Sequence, residues 1–411
     1  MTPPLVFDLR YATAHYPGVG SYAVGLAEAL LAARPAWPWR VLMPAADSRF
    51  DLSFVPSAAR IVSTPPPAPF RGQNRLAKLL REIDAALYHS PYLLRPWGAK
   101  CASIVTVHDV IPLEDRTAMS EPRRMLYRWL VGDALGSACV VTDSDTSRTA
   151  IRAAFPNARR PAPSRDRDHV ARRRPGSLIR PPADPLVIYP GCRIIESGEA
   201  WPPWPRPMLL TVGINKPHKN LDLLMRALAL IPSDCRPLLV CAGPVDRRFA
   251  DTATLAGWHG VSGDVMSLGM VPESRLAALY RSATLFAFPT RIEGFGLPLL
   301  EALTLGIPAI ASDLLVLREI AGDAAWRVAP DDATGWARAI ETLLGDPSRR
   351  AAMAERGLER ARRFSYAETA RQLVVEYEAL VPELARPPSG IDGAPSRAAA
   401  DRTEGAAEVR P

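Results

Sequence analysis

The stretch LFAFPTRIEGFGLPLLEAL, residues 285–303, carries a strand, a glycine loop and a helix start in direct succession. Leu285–Phe288 is an apolar run, and Pro289 closes it. Gly294 and Gly296 give a loop whose backbone can approach a ligand closely. Pro298 suits the first turn of the helix that follows. Strand, glycine loop and helix in that order are the grammar of a parallel α/β sheet. Glu293 and Glu301 stand eight positions apart in this mostly apolar run, and glutamate is rarely buried without a partner. Glu293 falls on the loop and Glu301 at the end of the first helical turn, so both can face one ligand. A carboxylate suits the vicinal hydroxyls of a ribose. The plain alternative is two separate acids favoured near a helix start by its dipole.

The same grammar extends in both directions. In the first half, apolar runs stand at 5–7, 40–43, 60–62, 86–89, 103–108, 139–142 and 186–189, with helical segments at 21–34, 74–82, 121–136 and 145–155. In the second half, runs at 208–212, 237–243, 265–269, 285–289 and 308–312 repeat the pattern. Leu221, Leu224, Met225 and Leu228 follow the i, i+3, i+4, i+7 helical period. Two such blocks predict two Rossmann-like parallel-sheet domains, divided near the Pro/Trp-rich segment 199–207. Ligands bind beyond the carboxyl ends of parallel strands, so the cleft between the domains is the expected site.

Other strand-end loops carry further candidates. Only four of the 50 Lys+Arg residues are lysine, and Lys216 and Lys219 share one loop, "INKPHKN". Asn220 reads as a helix N-cap there, and a helix start with nearby lysines favours an anion such as a diphosphate. The alternative is a solvated loop. In "YPGVGSYAVGL" (16–26), Gly18 and Gly20 read as a turn entering a helix, able to meet a phosphate or sugar or simply to turn the chain. His89 and His108 each end a strand and point toward the presumed cleft, with a structural role as the alternative. "VTDSDTSR" (141–148) reads as a strand end, an N-cap and a helix.

Composition bounds the rest. The 411 residues are 48% hydrophobic, enough for two cores. No membrane-length apolar run appears, and "MTPPLVFDLR" does not read as a signal peptide. Five scattered cysteines read as reduced thiols of a cytoplasmic protein. The net charge of +7 is concentrated in an Arg/Pro-rich insert at 157–185, where residues 159–180 hold eight arginines against Asp166 and Asp168. That insert reads as solvated and poorly ordered, or as a peripheral contact with anionic lipid at the inner face of the membrane. The lack of interleaved aromatics argues against nucleic acid. Residues 386–411 read as a disordered tail.

"PTRIEGFGLPLLEALTLGIPAIAS" resembles the glutamate–seven–glutamate signature of the retaining glycosyltransferases of family 4, in their mannosyltransferase-like subgroup. "VGINKPHKNLDLLMRAL", "LGMVPESRLAALYRSATLFAFP" and "HDVIPL" are similar as well. The resemblance implies the α/β GT-B fold: an acceptor domain (1–198), a donor domain (199–365) and a helix crossing back (366–385). It implies that Glu301 holds the nucleotide ribose. Glu293, with the backbone of Gly294, Phe295, Gly296 and Leu297, would contact the donor sugar. Lys219, helped by Lys216, would neutralise the diphosphate, Gly20 would approach it, and His108 would contact the transferred sugar. The implied donor is a nucleotide-diphosphate sugar, a hexose with mannose as candidate, and the acceptor is a saccharide or a lipid-linked saccharide. No metal and no cofactor is expected. Two departures stand out: Ile214 and His218 occupy positions where arginine is usual. Two alternatives stay open: a nucleotide-sugar epimerase, which shares the two-domain architecture, and a catalytically weak scaffold of a glycan-assembly complex, which His218 and the arginine-rich insert suggest.

Overall fold

The computed structural model describes residues 3–13, 17–44, 48, 50–61, 67, 72–115, 119–156, 184–194 and 200–385. The arginine-rich segment 159–180 and the tail 386–411 therefore lie outside the described residues.

Two sheets are present, and every strand pairing in them is parallel. The first contains β1 (Leu5–Asp8), β2 (Trp39–Leu42), β3 (Arg60–Ile61), β4 (Leu87–Ser90), β5 (Ala102–Thr106), β6 (Cys139–Thr142) and β7 (Leu186–Val187). The second contains β8 (Met208–Val212), β9 (Leu238–Ala242), β10 (Val265–Gly269), β11 (Leu285–Phe288), β12 (Ala309–Ser312) and β13 (Ala325–Val328). The orders are β3-β2-β1-β4-β5-β6-β7 and β10-β9-β8-β11-β12-β13. Each order reverses once, between β1 and β4 and between β8 and β11, and those reversals are where such sheets open a ligand crevice. β1, β4, β6, β9, β11 and β12 are buried along their whole length, because helices cover both faces of each sheet. This is the doubly wound α/β architecture that the periodicity predicts.

The expected strand at 186–189 is only the two residues of β7, and β13 was not anticipated. Both are edge strands. Arg327 of β13 is exposed, so no continuous apolar run marks it. The first helix begins at Pro17 and runs to Ala33, earlier than the expected 21. Proline fits a first helical position, so Gly18 and Gly20 lie in the first turn of the helix and not in a turn before it.

Helix Tyr366–Leu380 packs against helix Pro17–Ala33 and so joins the core of the first unit. A Cβ on Gly25 or on Gly191 would collide with Tyr366, so two glycines admit that ring. His89 does not face the cleft. It is fully buried, its Nδ1 lies 2.9 Å from the Tyr377 hydroxyl, and its ring meets Phe7 edge-on. Burial pushes its pKa down to about 3, so it is a neutral core histidine. The Pro/Trp segment is also packed: Trp201 stacks on Trp204, Arg275 lies over Trp201, and Trp204 Nε1 donates to Ser282 Oγ.

Candidate active site

The two loops at the second reversal point are those that follow β8 and β11. After β8, Pro217–Lys219 forms one 3₁₀ turn before helix Leu221–Leu230. Asn220 is not a side-chain cap. It takes the left-handed conformation (φ 58°) and turns its amide elsewhere. Its Nδ2 donates to the carbonyls of Pro289 and Pro330, and its Oδ1 accepts from Arg291 Nε at 3.0 Å. This buried asparagine therefore ties the first loop to the second.

That tie brings Lys219 to Glu293. The ammonium donates to Glu293 Oε2 at 2.6 Å and lies 5.5 Å from the centre of the Phe288 ring. The two side chains are 18% and 16% exposed, a partly shielded ion pair open on one side. Lys216 leaves the same loop in another direction and lines a separate cavity with His218 and Arg291.

After Glu293 the chain turns sharply. Gly296 has φ 102°, which other residues adopt at a cost, and a Cβ there would press on Leu317. Helix Leu297–Thr304 starts at once; Pro298 has no N–H, and the Leu299 and Leu300 N–H groups donate to the Gly296 carbonyl at 3.0 and 3.2 Å, which leaves the Leu297 N–H as the first-turn donor without a partner in the helix. Phe295 is buried in the core, edge-on to Phe364, so only its backbone is available to a ligand. Leu297 is partly buried against the same core. Glu301 lies in the second turn, and its Oε2 accepts from the Tyr280 hydroxyl at 2.7 Å. Nothing in the local sequence signalled Tyr280. It sits on the preceding helix, Glu273–Arg281, and only packing across the sheet face brings it there.

The first unit meets this loop directly. The Ser144 and Ser147 hydroxyls both donate to the Gly294 carbonyl, at 3.0 and 3.1 Å. Ser144 also caps its own helix, Asp145–Ala154, as the sequence predicts, accepting from Ser147 N. Glu319 of the second unit completes that cap. It accepts from the backbone N–H of Asp145 and Thr146, from the Thr146 hydroxyl and from Tyr189. A Cβ on Gly294 would stand 2.9 Å from Asp109 Cβ, so the two units touch here without a gap.

His108 lies two residues beyond β5 and is hydrogen-bonded on both sides. Nδ1 is 2.6 Å from Asp143 Oδ2 and Nε2 is 2.9 Å from the Pro91 carbonyl. The Pro91 carbonyl can only accept, so Nε2 carries a proton, and the Asp143 carboxylate beside Nδ1 favours the protonated ring. Burial alone lowers its pKa, but the Asp143 charge and hydrogen bond, the Pro91 carbonyl and Asp109 outweigh that and the net shift is upward. Asp109 is pushed up to about 6, chiefly by burial, with Glu293 and Asp143 adding to the rise. Asp143 was not foreseen as a partner of His108, because the two lie on neighbouring strands 35 positions apart.

Gly18 faces open space, whereas a Cβ on Gly20 would meet the Phe50 ring at 2.8 Å and the Tyr11 carbonyl at 3.0 Å. Packing alone therefore accounts for glycine at position 20. Among the described residues no group of three or more His, Cys, Asp or Glu side chains could hold a metal ion. No helix among them is long and apolar enough to cross a membrane.

Residues 202–360 match the family model described as glycosyl transferases group 1. The chain is 29% identical to the O-antigen chain mannosyltransferase B of Escherichia coli, over 75% of this chain and 78% of that protein. It is 32% identical to the D-inositol 3-phosphate glycosyltransferase of Nocardia farcinica, over 55% of this chain and 51% of that one, so it spans about half the length of that relative. Among solved structures, sucrose-phosphate synthase from Thermosynechococcus elongatus superposes with a TM-score of 0.70 at 20% identity, covering 93% of this chain and all (100%) of that one. Anabaena HepE in complex with UDP and glucose superposes at 0.67 and 17% identity, covering 92% and 100% of the two chains. Two parallel sheets of GT-B architecture, a donor-side segment that matches the group 1 glycosyl transferase model and mannosyltransferase relatives together support a glycosyltransferase.

Proposed function

We propose that this glycosyltransferase moves a hexose, with mannose the first candidate, from a nucleotide-diphosphate sugar to a saccharide or lipid-linked acceptor, with retention at the anomeric carbon. The observation that carries this reading is the convergence of both reversal-point loops on the Lys219–Glu293 pair, with Glu301 held one helical turn behind by Tyr280. The mannosyltransferase relative supports the sugar. The division of labour follows the sheets: residues 1–198 serve the acceptor, 199–365 the donor, and 366–385 return to the first unit.

Each side chain then has a task. Glu301 accepts from the ribose hydroxyls. The Leu297 N–H at the start of helix Leu297–Thr304 meets the diphosphate, as does Lys219, which exchanges Glu293 for phosphate oxygens. Glu293, released, accepts from sugar hydroxyls. The negative charge that grows on the departing diphosphate is thereby met by a cation and a helix terminus already in place. His108, with both nitrogens occupied, acts as a fixed positive charge near the sugar. Retention proceeds by attack on the face from which the diphosphate leaves, with a phosphate oxygen taking the acceptor proton.

A screen of GDP-, UDP- and ADP-sugars with saccharide acceptors tests this. Transfer from one donor, with product only when acceptor is present, is expected. Product from the donor alone identifies an epimerase, and donor binding without turnover identifies a scaffold. The arginine-rich segment 159–180 supports a further part of the reading, attraction to anionic lipid at roughly 1 kcal/mol per basic residue before screening. Replacing it with a Gly/Ser link should reduce vesicle co-sedimentation in a salt-sensitive way and leave transfer to soluble acceptors intact. Unchanged sedimentation removes the membrane role.

A further inference from the structure

A cavity of about 570 Å³ lies beside the donor loop, between the turn at 215–222, the segment 249–258 and Arg291, with Asp115 of the first unit at its edge. Lys219 does not line it. Three basic side chains do: Lys216, His218 and Arg291. The Arg291 backbone N–H donates to the His218 carbonyl at 2.7 Å, and its Nε is fixed on Asn220. Among the described residues the Lys216 ammonium and the terminal guanidinium nitrogens of Arg291 make no hydrogen bond or ion pair, so their charge is available to a ligand. The acid on the same wall is already matched: Asp222 pairs with Arg226 and His259. The opposite wall is aromatic. Trp258 is 67% exposed and Phe249 37%, a large apolar surface left in water next to unpaired cations.

We infer that this cavity, although formed mostly by residues of the donor-side unit, adds to the acceptor surface of residues 1–198 a subsite for an acidic sugar, whose anionic group meets Lys216 and Arg291 and whose ring lies on Trp258 and Phe249. The inference rests on the glycosyl-transfer reading for the word acceptor and on the cavity alone for the chemistry. Aromatic faces take the apolar side of a sugar ring, and guanidinium and ammonium groups take phosphate or carboxylate. The position fits, because Arg291 and Ile292 line the cavity and the next residue is Glu293.

His218 supplies the readout. Its pKa is pushed down to about 4, first by burial and then by Lys219, with Lys216 adding to the fall and Glu293 and Asp115 opposing it. An anion placed among these groups reverses that balance and raises the His218 pKa, so binding takes up a proton and tightens as pH falls.

The test titrates the His218 ring by NMR, assigned with a His218→Asn variant, in the presence of glucose 1-phosphate, glucuronate, methyl glucoside or inorganic phosphate. Glucose 1-phosphate or glucuronate should raise the His218 pKa, methyl glucoside should not, and which acid acts more strongly distinguishes phosphate from carboxylate. Arg291→Gln should weaken the effective probe about tenfold, as loss of a charged hydrogen bond does. Trp258→Ala, at an exposed position, should weaken it with no change in melting temperature. Trp258→Ala should bind nucleoside diphosphate as the parent does. No response to any probe overturns the inference. So does an equal response to inorganic phosphate that Trp258→Ala leaves untouched, because no sugar is then recognised. So does competition between the probe and nucleoside diphosphate, because the cavity is then part of the donor site. If the probes bind as expected but no nucleotide sugar supports transfer, the subsite stands and the proposed function fails.

Discussion

At the scale of residues, the site depends on pairs that hold one another until a ligand replaces a partner. Glu301→Ala should raise the donor KM about ten- to a hundred-fold, since charged hydrogen bonds contribute roughly 1.5–3 kcal/mol. Tyr280→Phe should raise it less, because only the orientation of Glu301 is loosened. Unchanged donor KM in a folded Glu301→Ala enzyme would remove the ribose role. Lys219→Ala should lower kcat more than it raises KM, because its charge matters most as the diphosphate departs. Equal and mild effects from Lys219→Ala and Lys216→Ala would contradict a specific role for Lys219, whose partner is Glu293, as against Lys216 in the neighbouring cavity. Asp109 offers a pH test. Its folded pKa, about 6, lies above the ordinary aspartate value, so its protonated form favours the fold. That stabilisation is full below the unfolded value and is lost as pH rises through about 6. Melting temperatures of Asp109→Asn and the parent should therefore move in favour of the variant between pH 4 and pH 7. A constant difference would show that Asp109 is not held as a raised acid.

At the scale of elements, contacts between the two units are concentrated at one helix start. Glu319 reaches the first backbone N–H groups of helix Asp145–Ala154, while Ser144 and Ser147 hold the Gly294 carbonyl. Removing a helix cap costs about 0.5–2 kcal/mol. Glu319→Ala should lower the unfolding free energy by that order, read as a lower melting temperature, and should also loosen the Glu293–Leu297 loop, which a raised donor KM would report. A lower melting temperature with unaltered donor KM would leave Glu319 a purely structural cap. The cap at Ser144 was legible, because a serine before a helical period is a local signal. Its second bond was not, because nothing in residues 141–148 indicates which distant carbonyl arrives there. Asn220 shows the converse: its residue type suggests a cap, but its side chain is drawn to Pro289 and Pro330, so the backbone takes the left-handed form instead.

At the scale of the whole molecule, helix Tyr366–Leu380 belongs to the core of the first unit although it follows the second in sequence. Ending the chain before Tyr366 should leave Trp37, Trp39 and His89 uncovered and give aggregated protein, whereas ending it after Ala385 should leave the melting temperature unchanged. A soluble, cooperatively folding chain lacking residues 366–411 would refute that. Transfer should survive EDTA, because Lys219 and the start of helix Leu297–Thr304 supply the positive charge that the diphosphate requires. Activity lost in chelator and restored by manganese or magnesium would overturn this.

The sequence by itself determined the two parallel sheets, the loops that carry the site and the strand-end position of Glu293, Lys219 and His108. These follow from local periodicity, glycine and proline punctuation and the rule that parallel sheets bind ligands at their carboxyl ends. Of the edge strands, β3, β7 and β10 were legible and β13 escaped, because the exposed Arg327 breaks the apolar run that marks a buried strand. Only the tertiary structure decided which partner each charged group has: Lys219 with Glu293, His108 with Asp143, Glu301 with Tyr280, Lys216 turned into a separate cavity. Only it placed His89 in the core. Those pairings join residues far apart in sequence through sheet packing and unit-to-unit contact. A hydrogen bond depends on tenths of an ångström between such elements, a distance that no local pattern of residue types encodes.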